Sequence, residues 1–98
     1  MLSGLAGKVA VVTGAAGGLG AASALRLSQE GSRVVVVDLD GDGARKVAAS
    51  LPGTSIAVTA DVSVEKDVDR YLDEATNSFG RIDFHHLNAG IPDRKSVV

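Results

Sequence analysis

The residues of this sequence that could do chemistry begin with a glycine-rich turn near the amino terminus. An aliphatic run, Val9 to Val12, leads into the turn, and an alanine-rich helical pattern follows it directly. Gly14 permits a sharp turn, while Gly18 and Gly20 lack a Cβ, so that an anion can approach the backbone and the helix can pack closely on the strand. A helix N-terminus favours an anion because its N–H groups are unpaired and its dipole end is positive. The turn therefore predicts a phosphate-binding site.

An acidic residue after the second aliphatic run narrows the ligand to a dinucleotide. No Lys-Ser or Lys-Thr follows the glycines, which excludes a P-loop. A dinucleotide site needs an acid about 20 residues further on, where it binds the hydroxyls of the adenosine ribose. Asp38 stands there, directly after Val34 to Val37. The alternative is an ordinary solvated or helix-capping carboxylate, because Asp40 and Asp42 lie close by.

The charge of Asp38 also bears on which dinucleotide binds. Two like unit charges about 4 Å apart repel by about 4 kcal/mol at an effective dielectric constant of about 20. A 2′-phosphate beside Asp38 would meet that repulsion, and the variable positions of the turn offer no basic residue. Arg33 lies at the opposite end of its strand, although Arg45 could fold back. The sequence thus predicts NAD rather than NADP.

Strand and helix patterns alternate along the chain and predict the elements that position these residues. The predicted strands cover residues 9–12, 34–37, 55–59 and 82–87. Glycines are expected to end the first and third helices, at Gly31 and Gly80. Ser63 is the predicted N-cap of the third helix, with Glu65 in its first turn. The order βαβαβαβ predicts an α/β fold, a Rossmann-type doubly wound parallel sheet with strand order 3-2-1-4.

Composition and charge exclude several classes of protein. The 98 residues allow one domain, and the net charge of −2 with no Lys/Arg cluster argues against a nucleic-acid surface. The chain has no cysteine, which excludes disulfides and thiolate metal sites. Its apolar runs are too short for a membrane span, and the first residues lack the pattern of a signal peptide. We therefore expect a soluble cytoplasmic protein without membrane or nucleic-acid partners.

Three short motifs resemble those of the short-chain dehydrogenases/reductases. Thr13 to Gly20 matches the family pattern Thr-Gly-x-x-x-Gly-x-Gly, Asp61-Val62 resembles its adenine-contacting pair, and Asn88-Ala89-Gly90 resembles its Asn-Ala-Gly motif. Because Gly17 accompanies Gly18, the turn also fits Gly-x-x-Gly-x-x-Gly, the spacing of the extended relatives that often act on nucleotide sugars. The Asn-Ala-Gly motif favours the standard branch.

The resemblance implies a function for the chain and roles for particular residues. It implies that the turn holds the pyrophosphate, that Asp61 and Val62 frame the adenine, and that Asn88 steadies the fourth strand with Thr13 as hydrogen-bond partner. Cofactor binding is thereby assigned to Gly14, Gly18, Leu19, Gly20, Asp38, Leu39, Asp61, Val62, Asn88, Ala89 and Gly90. The implied activity is hydride transfer between NAD(H) and a small hydroxyl or carbonyl substrate.

Two features depart from the family pattern. His85 and His86 replace aliphatic residues of the fourth strand. We expect partly buried or edge-exposed imidazoles and no metal site, because neighbouring strand residues face opposite sides and no third ligand is near. The family's catalytic Ser and Tyr-x-x-x-Lys are also lacking: Tyr71 has Ala75 four residues on, which indicates a packing residue.

The chain is therefore expected to be the NAD-binding half, residues 1–98, of such an enzyme, truncated after strand four and inactive alone. No catalytic residue is assigned to it. The alternative is a non-catalytic nucleotide-binding or interaction fragment. An unpaired edge on the fourth strand would promote pairing with another chain, and a homo-oligomer is expected.

Overall fold

Helices and strands alternate along the chain in the order that the sequence predicts. The computed structural model describes residues 6–86. Its elements are β1 (Val9–Thr13), α1 (Gly18–Gln29), β2 (Arg33–Asp38), α2 (Gly41–Ser50), β3 (Ser55–Thr59), α3 (Glu65–Phe79) and β4 (Phe84–His86). The four strands form one parallel sheet in the order β3-β2-β1-β4. The predicted α/β fold, of Rossmann type with order 3-2-1-4, is confirmed.

The central strands are covered on both faces. All of β1 and the four valines of β2 are buried, which accounts for their continuous aliphatic sequences. One face of the sheet packs on α3, through Tyr71 and Ala75. The other packs on α1 and α2, through Ala24 and Ala44. Burial of each valine contributes about 1.5–3 kcal/mol, so these two strands hold the carboxyl-end turns in fixed positions.

The helices begin and end largely at the capping residues and glycines that the sequence predicts. Gly31 follows α1 with φ 99° and Gly80 ends α3 with φ 84°, both in the left-handed region that favours glycine. At the start of α2, the Asp40 carboxylate accepts a hydrogen bond of 3.0 Å from the backbone N–H of Gly43. The cap of α2 is therefore Asp40 and not Asp38, for which a helix-capping role was the alternative.

Two predicted boundaries are wrong. Ser63 does not cap α3: Val64 is the N-cap, and the backbone N–H and hydroxyl of Ser63 both donate to Asp61 Oδ1, at 2.9 and 2.6 Å. This local Asx turn takes up the serine before the helix begins. The fourth strand begins at Phe84 instead of residue 82, because the Asp83 carboxylate accepts the bond from the Val9 N–H in place of a backbone carbonyl. Its predicted last residue lies outside the described residues.

Candidate functional site

A cavity of about 660 Å³ opens at the carboxyl ends of β1, β2 and β3. It is lined by Gly14, Ala16, Gly17, Gly18, Leu19, Asp38, Leu39, Asp40, Ala60, Asp61 and Val62. Every predicted site residue from the glycine-rich turn and from the ends of β2 and β3 is in this set, except Gly20. The remaining predicted site residues, Asn88, Ala89 and Gly90, lie outside the described residues. The structure thus brings three separate sequence motifs together around one space.

The glycines of the turn have different tasks. Gly14 has φ 63°, which allows the chain to leave β1 sharply. A Cβ at Gly20 would overlap the Gly14 carbonyl oxygen and lie 2.8 Å from Ala15 Cα, so Gly20 allows the close packing of α1 on the turn. A Cβ at Gly18 would meet no atom within 4 Å, and Gly18 lines the cavity. Gly20 therefore allows α1 to pack against the backbone of the turn, whereas Gly18 leaves the cavity free of a side chain.

The amino end of α1 lies in this cavity with its backbone donors uncapped. Its N-cap is Gly17, which has no side chain that could accept a hydrogen bond from the helix, and the first turn carries no acidic residue. The first N–H groups of a helix have no partner within the helix. Those at Gly18 and Leu19 are therefore available to an anion, which the helix dipole also favours.

Asp38 links the turn to the end of β2. Its Oδ2 accepts a 2.9 Å hydrogen bond from the Ala16 backbone N–H, and its Oδ1 accepts one of 2.8 Å from the Asp40 N–H. These bonds fix the orientation of the carboxylate at the wall of the cavity. Each oxygen of an ionised carboxylate has a second lone pair, so Asp38 can still accept bonds from ligand hydroxyls.

Asp61 and Val62 form the wall contributed by the turn between β3 and α3. The hydrogen bond from the Ser63 hydroxyl, followed by that from the Ser63 backbone N–H, lowers the pKa of Asp61 below its usual value. Asp61 is therefore an ionised acceptor at neutral pH. Val62 is half-buried against the core beneath α3. The wall thus presents a carboxylate beside an aliphatic side chain.

Of the described residues that line the cavity, those that carry a charge are all acids. Arg33, at the far end of β2, donates to the Gly7 carbonyl at 3.1 Å, and its guanidinium carbon lies 5.4 Å from the centre of the Phe79 ring. Arg45 is paired with Asp42 on the first turn of α2. Neither arginine is among the residues that line the cavity within residues 6–86.

On β4 the two histidines lie on opposite sides of the sheet, as expected. His86 is exposed, whereas His85 pairs with Val11 of β1 and lies on the α3 side. There His85 Nε2 is 2.8 Å from the Tyr71 hydroxyl, with the two rings edge to face. Burial raises the pKa of Tyr71 and lowers the pKa of His85. Tyr71 is the packing residue that was predicted, with a hydrogen bond to β4 that was not.

The sequence analysis did not identify two carboxylates that accept hydrogen bonds from the backbone of the segments next to the cavity. Asp67 Oδ2 accepts a 2.8 Å bond from the Asp61 N–H, and Asp83 Oδ2 accepts one of the same length from the Val9 N–H. An acid just inside α3 and one just before β4 were the only sequence signals. The predicted partner of Thr13, Asn88, lies outside the described residues; the Thr13 hydroxyl donates to the His86 carbonyl at 3.4 Å.

Residues 6–86 hold neither a cluster of metal ligands nor a membrane-spanning helix. They contain no group of three His, Asp or Glu side chains placed to bind a metal ion. None of the helices in this range has both the length and the apolar character needed to cross a membrane.

Comparison with protein families gives a match over nearly the whole chain. A family model described as short chain dehydrogenase matches residues 8–98. Meso-2,3-butanediol dehydrogenase of Serratia marcescens is 45% identical over 92 residues, which cover 93% of this chain and 37% of the relative. The 3beta-hydroxysteroid dehydrogenase 1 of Eggerthella lenta is 43% identical over 106 residues, 99% of this chain and 41% of the relative. The chain thus spans about two fifths of the length of these relatives.

Solved structures resemble the chain to a similar extent. The crystal structure of hydroxysteroid dehydrogenase from Escherichia coli superposes with a TM-score of 0.86 at 32% identity and covers 88% of this chain and 38% of that one. The 3-ketoacyl-(acyl-carrier-protein) reductase from Brucella melitensis, complexed with NADH, gives a TM-score of 0.80 at 43% identity. That match covers 83% of this chain and 34% of the reductase.

Proposed function

Because the chain belongs to the short-chain dehydrogenase family, we propose that it is the cofactor-binding half of an NAD-dependent oxidoreductase. The proposed reaction is hydride transfer between NAD(H) and a hydroxyl or carbonyl carbon of a small substrate. One observation carries the proposal: the glycine-rich turn, Asp38 and Asp61-Val62 meet around a single cavity at the carboxyl ends of parallel strands. This is where open α/β sheets bind nucleotides. The nicotinamide, when bound, supplies the redox chemistry, and the protein supplies binding and orientation.

The residues around the cavity fit a dinucleotide in size and chemistry. The open side of Gly18 and the uncapped N–H groups of α1 would hold the pyrophosphate. The Asp38 carboxylate would accept hydrogen bonds from the ribose hydroxyls. Leu19 and Leu39 also line the cavity, yet their side chains are 78% and 68% exposed. Ring systems of a bound dinucleotide would cover this apolar surface.

The end of β3 offers a surface that suits an adenine edge. The ionised Asp61 carboxylate can accept a hydrogen bond, and the Val62 backbone N–H can donate one. Adenine presents an amino donor beside ring-nitrogen acceptors, which is the complementary pattern. Adenine at Asp61 and Val62, with ribose at Asp38, would place the pyrophosphate on the side of the cavity formed by the glycine-rich turn.

Electrostatics support NAD over NADP. Asp38 is fixed at the cavity wall by the Ala16 and Asp40 N–H groups, and no basic residue within residues 6–86 lines the cavity. A 2′-phosphate would therefore be repelled by a carboxylate that cannot easily turn away. At about 4 Å the repulsion is about 4 kcal/mol for an effective dielectric constant of about 20.

Titration of the 98-residue chain with NADH and NADPH, followed by nicotinamide fluorescence, tests the proposal. We expect NADH to bind at least tenfold more tightly, about 1.4 kcal/mol, which is a conservative share of the repulsion just given. Replacement of Asp38 by Asn should narrow that difference, whereas replacement of the exposed Asp73 on α3 should leave it unchanged. Tighter binding of NADPH would contradict the role of Asp38, and absence of binding to either dinucleotide would contradict the proposed function.

A further inference from the structure

The turn between β3 and α3 is held by a carboxylate from the helix that follows it. Asp67, in the first turn of α3, accepts a 2.8 Å hydrogen bond through Oδ2 from the Asp61 backbone N–H. Its side chain is 32% exposed. Hydrogen bonds to an ionised acceptor are about twice as strong as neutral ones. The Asp67 carboxylate therefore fixes the peptide that leads into Asp61.

Arg70, one turn further along α3, holds the other side of the same turn. Its guanidinium donates to the Thr59 carbonyl at 2.6 Å and lies 3.7 Å from Asp67 Oδ1. Ala60, between the two anchored positions, is buried. The Asp61 carbonyl accepts from the Val64 N–H at 3.0 Å. Both backbone polar groups of Asp61 are thus bonded, which fixes the place from which its side chain projects, and the two bonds from Ser63 to Oδ1 set the direction of the carboxylate.

We infer that Asp67 is a positioning residue that gives the cavity its selectivity for adenine. This inference rests on the proposed dinucleotide function, in which Asp61 and Val62 receive the adenine edge. Asp67 is not among the residues that line the cavity, so it acts through the Asp61 peptide and not by touching the ligand.

Selectivity is the property that a fixed carboxylate confers. Hypoxanthine carries a carbonyl oxygen where adenine carries its amino group, so an immobile Asp61 carboxylate would face an acceptor with an acceptor. A carboxylate on a loosened turn can rotate away from that oxygen and tolerate either base. Loss of the Asp67 bond should therefore reduce discrimination between the two bases more than it reduces binding itself.

The test compares three variants of the 98-residue chain: Asp67→Ala, Asp67→Asn and Asp69→Ala. Asp69 is a matched control, because it is an exposed acid on the same helix and its side chain makes no hydrogen bond or ion pair within residues 6–86. Reduced nicotinamide adenine and nicotinamide hypoxanthine dinucleotides are titrated by fluorescence. We expect D67A to lower the preference for the adenine form about tenfold, D67N to lower it about threefold because its amide oxygen still accepts, and D69A to leave it unchanged.

A second measurement follows the Asp61 amide without any ligand. Its hydrogen exchange should be faster in D67A than in D69A or the unchanged chain. Equal losses of affinity for both dinucleotides in D67A would overturn the inference, since a merely structural role predicts them. If circular dichroism shows that D67A does not fold, an unchanged preference in D67N overturns it. If the wild-type chain binds neither dinucleotide, the proposed function is refuted, and the inference fails with it.

Discussion

The Asp38 carboxylate joins two backbone segments and also faces the cavity. Its two oxygens each accept from a different backbone N–H, those of Ala16 and Asp40. An amide in its place has only one acceptor, so in Asp38→Asn one N–H would face an NH₂ donor. We expect D38N to lower the free energy of unfolding by about 1–3 kcal/mol and to weaken NADH binding at least about tenfold.

Urea denaturation and NADH titration check this expectation together. The control is Asp73→Asn on the exposed side of α3, which should change the unfolding free energy by less than about 0.5 kcal/mol. If D38N loses NADH affinity with full stability, Asp38 serves the ligand alone and the linking role is wrong.

His85 gives the stability of the fold a pH dependence near neutrality. Burial lowers the pKa of His85 in the folded chain, so between that value and about 6.5 the unfolded chain binds more protons than the folded one. Stability should therefore fall as the pH drops from about 7 towards 5. His85→Leu should flatten this part of the profile, as measured by urea denaturation at pH 5, 6 and 7. An unchanged slope in H85L would assign the dependence to other groups.

Within the same contact, the Tyr71 hydroxyl contributes at constant pH. Tyr71 is fully buried and its hydroxyl is bonded to His85 Nε2. Tyr71→Phe removes that bond and keeps the ring, so we expect a loss of about 0.5–1.5 kcal/mol at pH 7. Thermal or urea unfolding measures it, and His86→Leu on the exposed side of β4 is the control. A loss in Y71F no larger than that in H86L would mean that the bond contributes nothing.

At the scale of elements, two glycines at the junction of the glycine-rich turn and α1 have separate effects, one on the stability of the fold and the other on ligand binding. A Cβ at Gly20 would overlap the Gly14 carbonyl, whereas a Cβ at Gly18 meets nothing within 4 Å. We expect Gly20→Ala to destabilise the fold by about 2 kcal/mol, because backbone atoms must shift. Gly18→Ala should change stability by less than about 1 kcal/mol but weaken NADH binding at least about tenfold, since its methyl group enters the cavity.

Denaturant unfolding and NADH titration of the two alanine variants form one matched experiment. Each substitution is the control for the other, because both add a single methyl group to the first turn of α1. Equal stability of the two variants would contradict the packing role of Gly20, and full NADH affinity in G18A would contradict the position proposed for the pyrophosphate.

The pairing of β4 with β1 depends on an acid. The Arg81 guanidinium, and after it the bond from the Val9 N–H, lowers the pKa of Asp83 to about 2. The unfolded value is about 3.9, so the contribution of Asp83 to stability is complete above about pH 4 and is lost as the pH falls towards 2. Asp83→Asn should reduce the acid dependence in that range, as measured by thermal melts from pH 2 to 5. A D83N profile parallel to that of the unchanged chain would show that Asp83 is not responsible.

For the whole molecule, the fold could be predicted from the sequence because its information is local and periodic. The runs at β1 and β2 are continuous since both faces are buried, and α3 carries an apolar stripe at helical spacing. The position of the cavity could also be predicted from the sequence, because parallel strands bring their carboxyl ends to one edge of the sheet. Glycines after β1 and acids after β2 and β3 had to meet there.

What the sequence did not predict depends on contacts between distant residues or on competition within a turn. The Tyr71–His85 bond needs the register that places His85 beside Val11, and the bond from the Val9 N–H to the Asp83 carboxylate spans 74 residues. The predicted N-cap of α3 is wrong because the N–H and hydroxyl of Ser63 donate to the carboxylate two residues before it. Side-chain bonds of this kind leave no period in a sequence.

The distribution of chemistry over the whole chain predicts binding without turnover. The only tyrosine of the 98 residues is Tyr71 of α3, which is fully buried against the sheet and does not line the cavity, and no Tyr-x-x-x-Lys occurs in the sequence. The resemblance to the family implies that such a tyrosine exchanges a proton with the substrate oxygen, so we propose that these 98 residues bind the cofactor without turnover. We expect the purified chain to bind NADH yet to produce none from NAD with meso-2,3-butanediol or a 3β-hydroxysteroid, the substrate types named for its relatives. Absorbance at the nicotinamide band, with a complete relative as positive control, measures this, and any turnover that G18A abolishes would show that the chain carries catalytic groups of its own.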